Sequence, residues 1–227
     1  MSTLKDKIVV ITGGTHGLGK AMALNCHESG AKVVVCARDE VGFDELVKLG
    51  ILAVKADVTK ESDIGNVMKV TLEKLGRVDI WINNAGIWLP HEVIEKTDWT
   101  RAHDLMEVNL FGTVYGSKTA LMQMRKQGSG CIVNILSTSA LEGRATSSAY
   151  CASKYAARGF TLSLQEEVEG LKICAIAVYP GGMKTDLFDE ERPDNYNEYM
   201  EPTYVAGKIV ENLEKDEPEK EQIIRRN

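Results

Sequence analysis

The sequence predicts an α/β fold in a single domain, with a doubly wound, mostly parallel sheet and helices on both faces. Short runs of β-branched residues alternate with longer amphipathic stretches, as they do in βαβ units. The strand-like runs are apolar at almost every position, which is typical of parallel strands buried on both faces. The chain has 227 residues, of which 44% are hydrophobic, and we expect one domain spanning residues 1–227.

The predicted elements follow one another in a regular order. Strands are predicted at KIVVIT, AKVVVCA, ILAVKA, VDIWINN, GCIVNIL and LKICAIAVY, with QIIR near the C-terminus as a short edge strand. The amphipathic stretches between them predict helices over 18–26, 40–49, 60–75, 98–126 and 148–169. Residues 184–202 are acidic and have no periodicity, so we interpret them either as a mobile flap over a site or as a solvated loop.

Composition excludes several classes of protein. The formal net charge is −6 and Lys and Arg form no long run, so we expect no nucleic-acid partner. No apolar run reaches the roughly 18 residues that a membrane span needs, and MSTLKDKIVV does not have the pattern of a signal peptide. The five cysteines occur singly, without a C-x-x-C pair. We therefore expect a cytoplasmic protein with no membrane contact, no zinc or other metal site and no disulfide.

The segment TGGTHGLGK, residues 12–20, joins the first strand to the first helix. Glycine loses more conformational freedom on folding than any other residue, so Gly13, Gly17 and Gly19 indicate a backbone that something approaches closely. The N–H groups and dipole at a helix N-terminus favour an anion, and a pyrophosphate fits there if no side chain obstructs it. Taken alone, the cluster is equally consistent with a plain glycine-rich turn, because the strict G-x-G-x-x-G spacing is absent.

Tyr150 and Lys154 lie four residues apart in a predicted helix and therefore share one face of it. A free tyrosine has a pKa near ~10, which is too high for efficient proton exchange at neutral pH. A nearby ammonium favours the phenolate, so we expect Lys154 to lower the pKa of Tyr150. The same pair occurs commonly as an ordinary pair on a helix surface.

Together these motifs resemble those of the short-chain dehydrogenase/reductase family, in its compact single-domain branch. TGGTHGLG matches the family's TGxxxGxG fingerprint, YCASK matches its YxxxK, NNAG at 83–86 follows the fourth strand, and PGGMKT at 180–185 is similar to its PGxVxT. The resemblance covers nearly the whole chain and implies a Rossmann-type fold. This chain departs from the family pattern at His16, at Met183 and in a short C-terminal tail, which leaves the last strand open.

The resemblance also implies a catalytic group. Tyr150 would exchange a proton with the substrate oxygen, and Ser137, thirteen residues before it, would hydrogen-bond the same oxygen. Ser139 is the other hydroxyl of the STS segment, but the spacing favours Ser137. Lys154 would also reach the nicotinamide ribose. Asn109 would hold a water that passes protons to Lys154, and the alternative is a packing Asn bonded to backbone.

The cofactor is expected to be NADP(H), with NAD(H) less favoured. Ala37 stands where NAD-using members of the family carry an acid, and Arg38 follows it with a guanidinium suited to a 2′-phosphate. Asp39 would be a ribose ligand or a helix cap, and Arg38 alternatively a surface charge. The implied cofactor site comprises Gly13, Thr15, His16, Gly17, Leu18, Gly19, Arg38, Asp57, Val58, Asn84, Ala85, Gly86, Tyr150, Lys154, Pro180, Gly181, Met183 and Thr185.

Within this site the resemblance assigns individual contacts to three residues. Asp57 would meet the adenine, while Thr185 and the backbone of Met183 would hold the nicotinamide amide. The implied reaction is the interconversion of a carbonyl and a secondary alcohol by hydride transfer. The alternatives are a catalytically silent NADP-binding regulatory protein of the same fold and an epimerase or dehydratase, which usually needs a longer chain.

The substrate is expected to be a small molecule of unspecified identity. The acidic residues of 184–202 argue mildly against a strongly anionic substrate. Gly112 and Gly116 in one helix, and the small residues of 148–160 in another, predict either packing on the sheet or a contact between subunits. Because the family resemblance implies that these two helices meet a partner, we expect a homodimer or homotetramer.

Overall fold

A seven-stranded parallel sheet forms the centre of the molecule. The computed structural model describes residues 4–226, and its strands lie in the order β3-β2-β1-β4-β5-β6-β7. Every adjacent pair is parallel. The strands are β1 Ile8–Thr12, β2 Lys32–Ala37, β3 Leu52–Lys55, β4 Ile80–Asn83, β5 Gly130–Ile135, β6 Ile173–Pro180 and β7 Glu221–Ile224. The edge strand predicted at QIIR is confirmed as β7, one residue earlier.

Within residues 4–226, seven α-helices connect and cover these strands. They are α1 Gly17–Glu28, α2 Phe43–Lys48, α3 Glu61–Leu75, α4 Trp99–Met106, α5 Gly112–Gln127, α6 Ser148–Glu167 and α7 Pro202–Leu213. The helix predicted over 98–126 is not continuous, because a π-helical turn at Glu107–Phe111 separates α4 from α5. Such turns are local insertions in an α-helix and frequently lie at functional sites.

Two hydrophobic layers show that the sheet is doubly wound, as predicted. Alternate residues of one strand point to opposite faces, so Val9 and Ile11 of β1 join the layer under α1 and α7 while Val10 joins the layer under α3, α5 and α6. All five residues of β1 are buried. The continuous apolar runs of the sequence thus reflect burial on both faces.

The strand order reverses beside β1, which pairs with β2 on one side and β4 on the other. In open parallel sheets a crevice forms at such a switch point, outside the carboxyl ends of the strands. The glycine turn after β1, the NNAG segment after β4 and Ser137 after β5 all lie at this edge. The topology therefore brings three motifs that are far apart in the sequence to one edge of the sheet.

The two glycines of α5 pack inside the chain. A methyl group on Gly112 would lie 2.9 Å from Val58, and one on Gly116 would overlap the side-chain oxygen of Asn83. Of the two alternatives that the sequence left open for these glycines, the structure supports packing on the sheet. Residues 184–202 contain two short 3₁₀ turns, at Asp186–Phe188 and Tyr196–Glu198, and an isolated β-bridge from Met200 to Met183 before α7 begins.

The expectation that the chain has no disulfide is wrong. Cys131 of β5 and Cys174 of β6 stand directly opposite one another in the parallel register, with Cα atoms 4.6 Å apart, and their sulfurs are bonded. Spacing along the chain could not reveal this pair, because the strand register brings the two cysteines together. The cytoplasmic location stays a prediction and loses one of its grounds. No helix within residues 4–226 is both long enough and apolar enough to cross a bilayer.

Candidate active site

In the glycine turn, the backbone of Gly19 lies in close contact with the backbone of Gly13. Gly13 and Gly17 have φ values of +62° and +50°, a conformation that L side chains rarely adopt. A methyl group on Gly19 would overlap the carbonyl oxygen of Gly13, and one on Gly14 would lie 2.6 Å from Val35. Four glycines therefore shape the turn. Gly14 is the one that the sequence pattern does not predict.

The N-terminus of α1 is left open by its own residues. His16 precedes the helix without making a side-chain cap, and no acidic residue lies in the first turn. The first N–H groups of a helix have no partner within the helix and carry partial positive charge. Gly17, Leu18 and Gly19 present these groups to a cleft of about 550 Å³. An anionic group bound there meets donors without displacing a side chain.

The glycine turn is tied to the end of β4 by Asn84. The side-chain nitrogen of Asn84 donates to the carbonyl oxygens of Thr12 (2.9 Å) and Gly13 (3.0 Å). In return, the Thr12 hydroxyl oxygen accepts from the backbone N–H groups of Asn84 (3.0 Å) and Ala85 (3.1 Å). Asn84 therefore holds the turn in shape with its amide and faces the cleft beside it. Thr12, the first residue of the motif, was not among the predicted site residues.

The long cleft brings together most of the residues predicted to hold a cofactor. It runs from the end of β2, past the glycine turn and the NNAG segment, to α6 and the start of residues 184–202. Of the predicted residues, its walls include Gly13, Thr15, His16, Gly17, Leu18, Gly19, Arg38, Val58, Asn84, Ala85, Gly86, Tyr150, Lys154, Met183 and Thr185.

Three predicted cofactor residues lie elsewhere. Asp57 is not on the cleft wall, since its carboxylate accepts from the N–H (3.0 Å) and hydroxyl (2.8 Å) of Thr59 and closes a turn before α3. Burial opposes the ionisation of Asp57, but these bonds outweigh it and keep its pKa below the usual value. Pro180 and Gly181 line a separate, smaller cavity of about 70 Å³, which also contains Ser137.

At the end of β2 the cleft wall carries the guanidinium of Arg38 and the carboxylate of Asp39. His16, at the start of α1, lines the same cleft, and both Arg38 and His16 are exposed. The Asp39 carboxylate accepts from the N–H of Val41 (3.2 Å), which makes a local turn. Asp39 does not cap α2, which begins at Phe43 after Gly42. The guanidinium of Arg38 makes no ion pair within the described residues.

Asn109 lies in the π-helical turn and is 1% exposed. Its side-chain oxygen accepts from the N–H of Ile87 (2.9 Å), and its nitrogen donates to the Ile87 carbonyl (3.0 Å) and to the Ser153 hydroxyl (3.1 Å). A methyl group on Gly86 would lie 3.2 Å from the Asn109 oxygen and 3.7 Å from the Lys154 ammonium. Asn109 therefore supports the cleft wall from behind, next to Lys154.

Tyr150 lines both the long cleft and the small cavity, and Ser137 lines the small cavity beside it. Burial raises the pKa of Tyr150 to about 12, and a hydrogen bond from Ser137 opposes the rise. The expectation of a lowered pKa is wrong for this structure, because burial outweighs the groups that favour the phenolate. Tyr150 therefore holds its proton at neutral pH. Ser139 lines the same cavity, but the hydroxyl that reaches the phenol belongs to Ser137.

Lys154 is a buried cation on the same helix face. Its ammonium is 5.9 Å from the centre of the Tyr150 ring and donates to the carbonyl of Ile135 (3.2 Å). The residue is 5% exposed and has no carboxylate partner within residues 4–226, and burial lowers its pKa to about 8. An unpaired charge this deeply buried is costly, and such groups are concentrated at functional sites.

Comparison with known proteins identifies the family. A family model described as short chain dehydrogenase matches residues 7–196. The chain belongs to the short-chain dehydrogenase family. An uncharacterized oxidoreductase of Staphylococcus saprophyticus is 32% identical over an alignment 240 residues long with its gaps. The alignment covers 98% of this chain and 95% of that protein.

Two solved structures of similar sequence have the same fold. A short-chain dehydrogenase from Streptomyces avermitilis has a TM-score of 0.87 at 29% identity, and the match covers 97% of this chain and 88% of that one. Levodione reductase has a TM-score of 0.88 at 28% identity, covering 97% and 96% of the two chains. Like its relatives, this short-chain dehydrogenase is an oxidoreductase.

Sequence reasoning missed a buried amide network beneath the site of this dehydrogenase. The Asn83 nitrogen donates to the side-chain oxygen of Asn134 (2.8 Å) and to the Ser117 hydroxyl (3.0 Å), and its oxygen accepts from Trp81 (2.8 Å). Asn134 in turn donates to the hydroxyl of Thr161 (2.9 Å). The signal was an asparagine inside each of two apolar strands, where a buried amide needs partners.

Proposed function

We propose that the protein is an NADP(H)-dependent oxidoreductase that interconverts a carbonyl and a secondary alcohol. The observation that carries the proposal is that Tyr150 lies where the long cleft and the small cavity meet. A cofactor in the cleft and a substrate in the cavity would both contact this residue. The fold alone would not support this function, since related folds host many activities.

The cleft suits a dinucleotide. Its wall includes a turn in which any side chain on Gly19 would overlap backbone, and this turn leads to an uncapped helix N-terminus. Arg38 at the end of β2 and His16 at the start of α1 favour NADP(H), because a guanidinium binds a 2′-phosphate with two parallel hydrogen bonds. Bound there, NADPH would supply the hydride for reduction of the carbonyl carbon.

Side chains of the protein would transfer the proton to the substrate. Tyr150, protonated at neutral pH, would donate its proton to the substrate oxygen as negative charge develops there. Ser137 would hold the same oxygen by a hydrogen bond. The Lys154 ammonium, held by the Ile135 carbonyl, would stabilise the phenolate left behind. Asn109 would keep Ile87 and the cleft wall in place beside Lys154.

Turnover separates this proposal from a catalytically silent NADP-binding protein. The assay measures NADPH binding by fluorescence titration and NADPH oxidation by absorbance, with a panel of ketones and aldehydes. We expect micromolar or tighter binding and oxidation with at least one carbonyl compound. Binding without oxidation across the panel would favour the regulatory function.

The choice between NADP(H) and NAD(H) depends on Arg38. We expect Arg38→Ala to reduce the preference for NADPH over NADH, measured as the ratio of kcat/KM values, by about 10–100-fold, since hydrogen bonds to charged groups contribute about 1.5–3 kcal/mol. Arg125→Ala, an exposed arginine near the end of α5, is the matched control. An unchanged ratio in Arg38→Ala would exclude this role.

We further propose that the protein forms a homodimer or homotetramer through α5 and α6. Three large apolar side chains on or next to these helices are exposed: Phe111 (39%), Met122 (55%) and Tyr155 (41%). The small residue Ala152 of α6 is also exposed. Apolar side chains and a small residue on adjacent helices suit a two-fold contact. Light scattering at micromolar concentration tests this, and a single species near the 25.0 kDa chain mass would contradict it.

We also propose that residues 184–202 act as a mobile flap over the small cavity. Phe188 packs edge-on against Trp88 with ring centres 5.1 Å apart, and the guanidinium of Arg101 in α4 pairs with Glu190. The Arg101–Glu190 pair lies between exposed side chains, so the flap segment around Glu190 is held mainly by the aromatic contact of Phe188.

A further inference from the structure

The small cavity beside Ser137 and Tyr150 is lined by an arginine and by no carboxylate within the described residues. Arg144, on the loop between β5 and α6, points its side chain to this cavity and donates from Nη2 to the hydroxyl of Thr138 (3.0 Å). The guanidinium has five N–H donors, and this one bond leaves others free. A cation thus stands on the wall that also holds the proposed proton donor.

Two acids of the loop and the flap are paired with other arginines. Glu142, two residues before Arg144, accepts from Arg225 at 2.7 Å. Glu190 of the flap receives two hydrogen bonds from Arg101. Arg144 itself makes no ion pair within residues 4–226. Among the described residues no flap acid lines the small cavity or pairs with Arg144, so the acidic residues of the flap do not exclude an anionic substrate from this cavity.

The charge of Arg144 acts on the groups around the cavity. Burial raises the pKa values of Tyr150 and Tyr199, and the positive charge of Arg144 opposes the rise at both. Both phenols line the cavity, on α6 and on the flap. The guanidinium thus lies within electrostatic range of the atom that would transfer the proton.

The aromatic residues of the small cavity limit the size of the substrate that it can hold. The Tyr199 ring lies against Gly182, where a methyl group would be 2.7 Å from the ring, and the Trp88 and Phe188 rings close the adjacent side. The cavity volume is about 70 Å³, enough for only a few heavy atoms. A long acyl chain or a large ring system would need the flap to move.

Building on the proposed function, we propose that the substrate is a short oxo acid or hydroxy acid whose carboxylate pairs with Arg144. In reduction, the carbonyl carbon gains a hydride from NADPH and the carbonyl oxygen gains the Tyr150 proton, so that a hydroxy acid and NADP⁺ are formed. The carboxylate stays ionised and does not react. Arg144 orients the acid so that its carbonyl oxygen meets Ser137 and Tyr150, and it is therefore a specificity-determining residue.

The test compares each acid with its methyl ester, which removes the charge and keeps the carbonyl. The probes are 2-oxobutanoate, 3-oxobutanoate and 4-oxopentanoate with their methyl esters, assayed by NADPH oxidation. We expect the wild type to favour at least one acid over its ester by about tenfold in kcat/KM, a value reduced by the exposure of Arg144. Arg144→Gln should remove this preference and Arg144→Lys should keep part of it.

Arg192→Gln is the matched control. Arg192 is a flap arginine that pairs with Asp189 and stacks on Tyr196 outside the cavity wall, so this change should leave the acid-to-ester ratio as in the wild type. A binding readout is independent of turnover. Butanoate should raise the Tm of the NADP⁺-loaded wild type and have a weaker effect on the Arg144→Gln enzyme.

The outcomes separate the two proposals. Equal use of acids and esters, or a preference for acids that persists in Arg144→Gln, would overturn the assignment of a carboxylate substrate while leaving the oxidoreductase function standing. Turnover of neutral ketones alone would do the same. NADPH binding with no oxidation by any acid, ester or neutral ketone would overturn the proposed function and the substrate assignment with it.

Discussion

The two walls of the site are built in different ways. The cofactor wall consists of backbone and buried amides, with Asn84 bonded to two carbonyls of the glycine turn and Asn109 bonded to both backbone groups of Ile87. The outer part of the substrate wall consists of the flap, which is held by aromatic edges and by the surface pair of Arg101 and Glu190.

This difference determines what each wall tolerates. On the cofactor wall the amides of Asn84 and Asn109 have partners in neighbouring elements, so a change at either residue leaves polar groups unpaired and costs about 1–3 kcal/mol. On the flap, an ion pair between exposed side chains contributes little. The cofactor wall is therefore rigid, whereas the substrate wall is free to vary in composition and in position.

The largest expected effect comes from breaking the cofactor wall at Gly19. Gly19→Ala places a methyl group onto the carbonyl oxygen of Gly13, and the turn must move to accommodate it. We expect NADPH affinity to fall at least 100-fold, equivalent to about 2.7 kcal/mol, in a fluorescence titration. Gly65→Ala is the control, because Gly65 is exposed on α3 with open space around its Cα and should bind NADPH as the wild type does. Equal affinities in both variants would show that the turn does not cradle the cofactor.

An intermediate effect is expected from the buried charge of Lys154. Its pKa is lowered from 10.5 to about 8, so between these values the unfolded chain holds more protons than the folded one and stability rises with pH. Below pH 8 the cost of burying the ammonium is felt in full. We expect Lys154→Met to stabilise the cofactor-free protein more at pH 7 than at pH 10, by a difference on the order of 2 kcal/mol in urea unfolding.

Lys126→Met, an exposed lysine near the end of α5, provides the control for this experiment. Its free energy of unfolding should follow that of the wild type at both pH values. If the Lys154→Met and wild-type curves run parallel between pH 7 and pH 10, the ammonium is not desolvated as the structure indicates.

The smallest effect is expected on the flap. Glu190→Gln removes the charge that pairs with Arg101, and because both side chains are exposed we expect no measurable change in Tm. The rate of limited proteolysis within 184–202 should increase by a few fold, since local opening becomes easier. Glu191→Gln, whose carboxylate makes no ion pair in the described structure, should be cleaved as the wild type is. Identical cleavage of both variants would mean that the pair does not hold the flap.

Most of the cofactor wall could be predicted from the sequence, because its signals are local. The positions of Gly13, Gly17 and Gly19, and the helical spacing of Tyr150 and Lys154, need no knowledge of distant contacts. Alternation of apolar runs with amphipathic stretches was sufficient for the parallel sheet and its helices. The doubly wound fold and the family resemblance are both confirmed.

What the sequence could not show depends on contacts between distant elements. The bond between Cys131 and Cys174 follows from the register of β5 and β6, and the Asn83–Asn134 hydrogen bond follows from that of β4 and β5. The pKa of Tyr150 was predicted in the wrong direction because the spacing of charges along a helix says nothing of burial. A role for Arg144 could not be predicted from the sequence, because its place on the cavity wall and the partners of Glu142 and Glu190 depend on the folded structure.

The central claim is that Tyr150 donates the proton, and Tyr150→Phe tests it most directly because the change removes one oxygen atom and keeps the ring. NADPH affinity and kcat are to be measured on the same preparation, with Tyr155→Phe, an exposed tyrosine on the same helix, as the control. We expect NADPH affinity to stay within about threefold of the wild type while kcat falls by about 10²–10⁴-fold. Wild-type turnover in Tyr150→Phe would contradict the account.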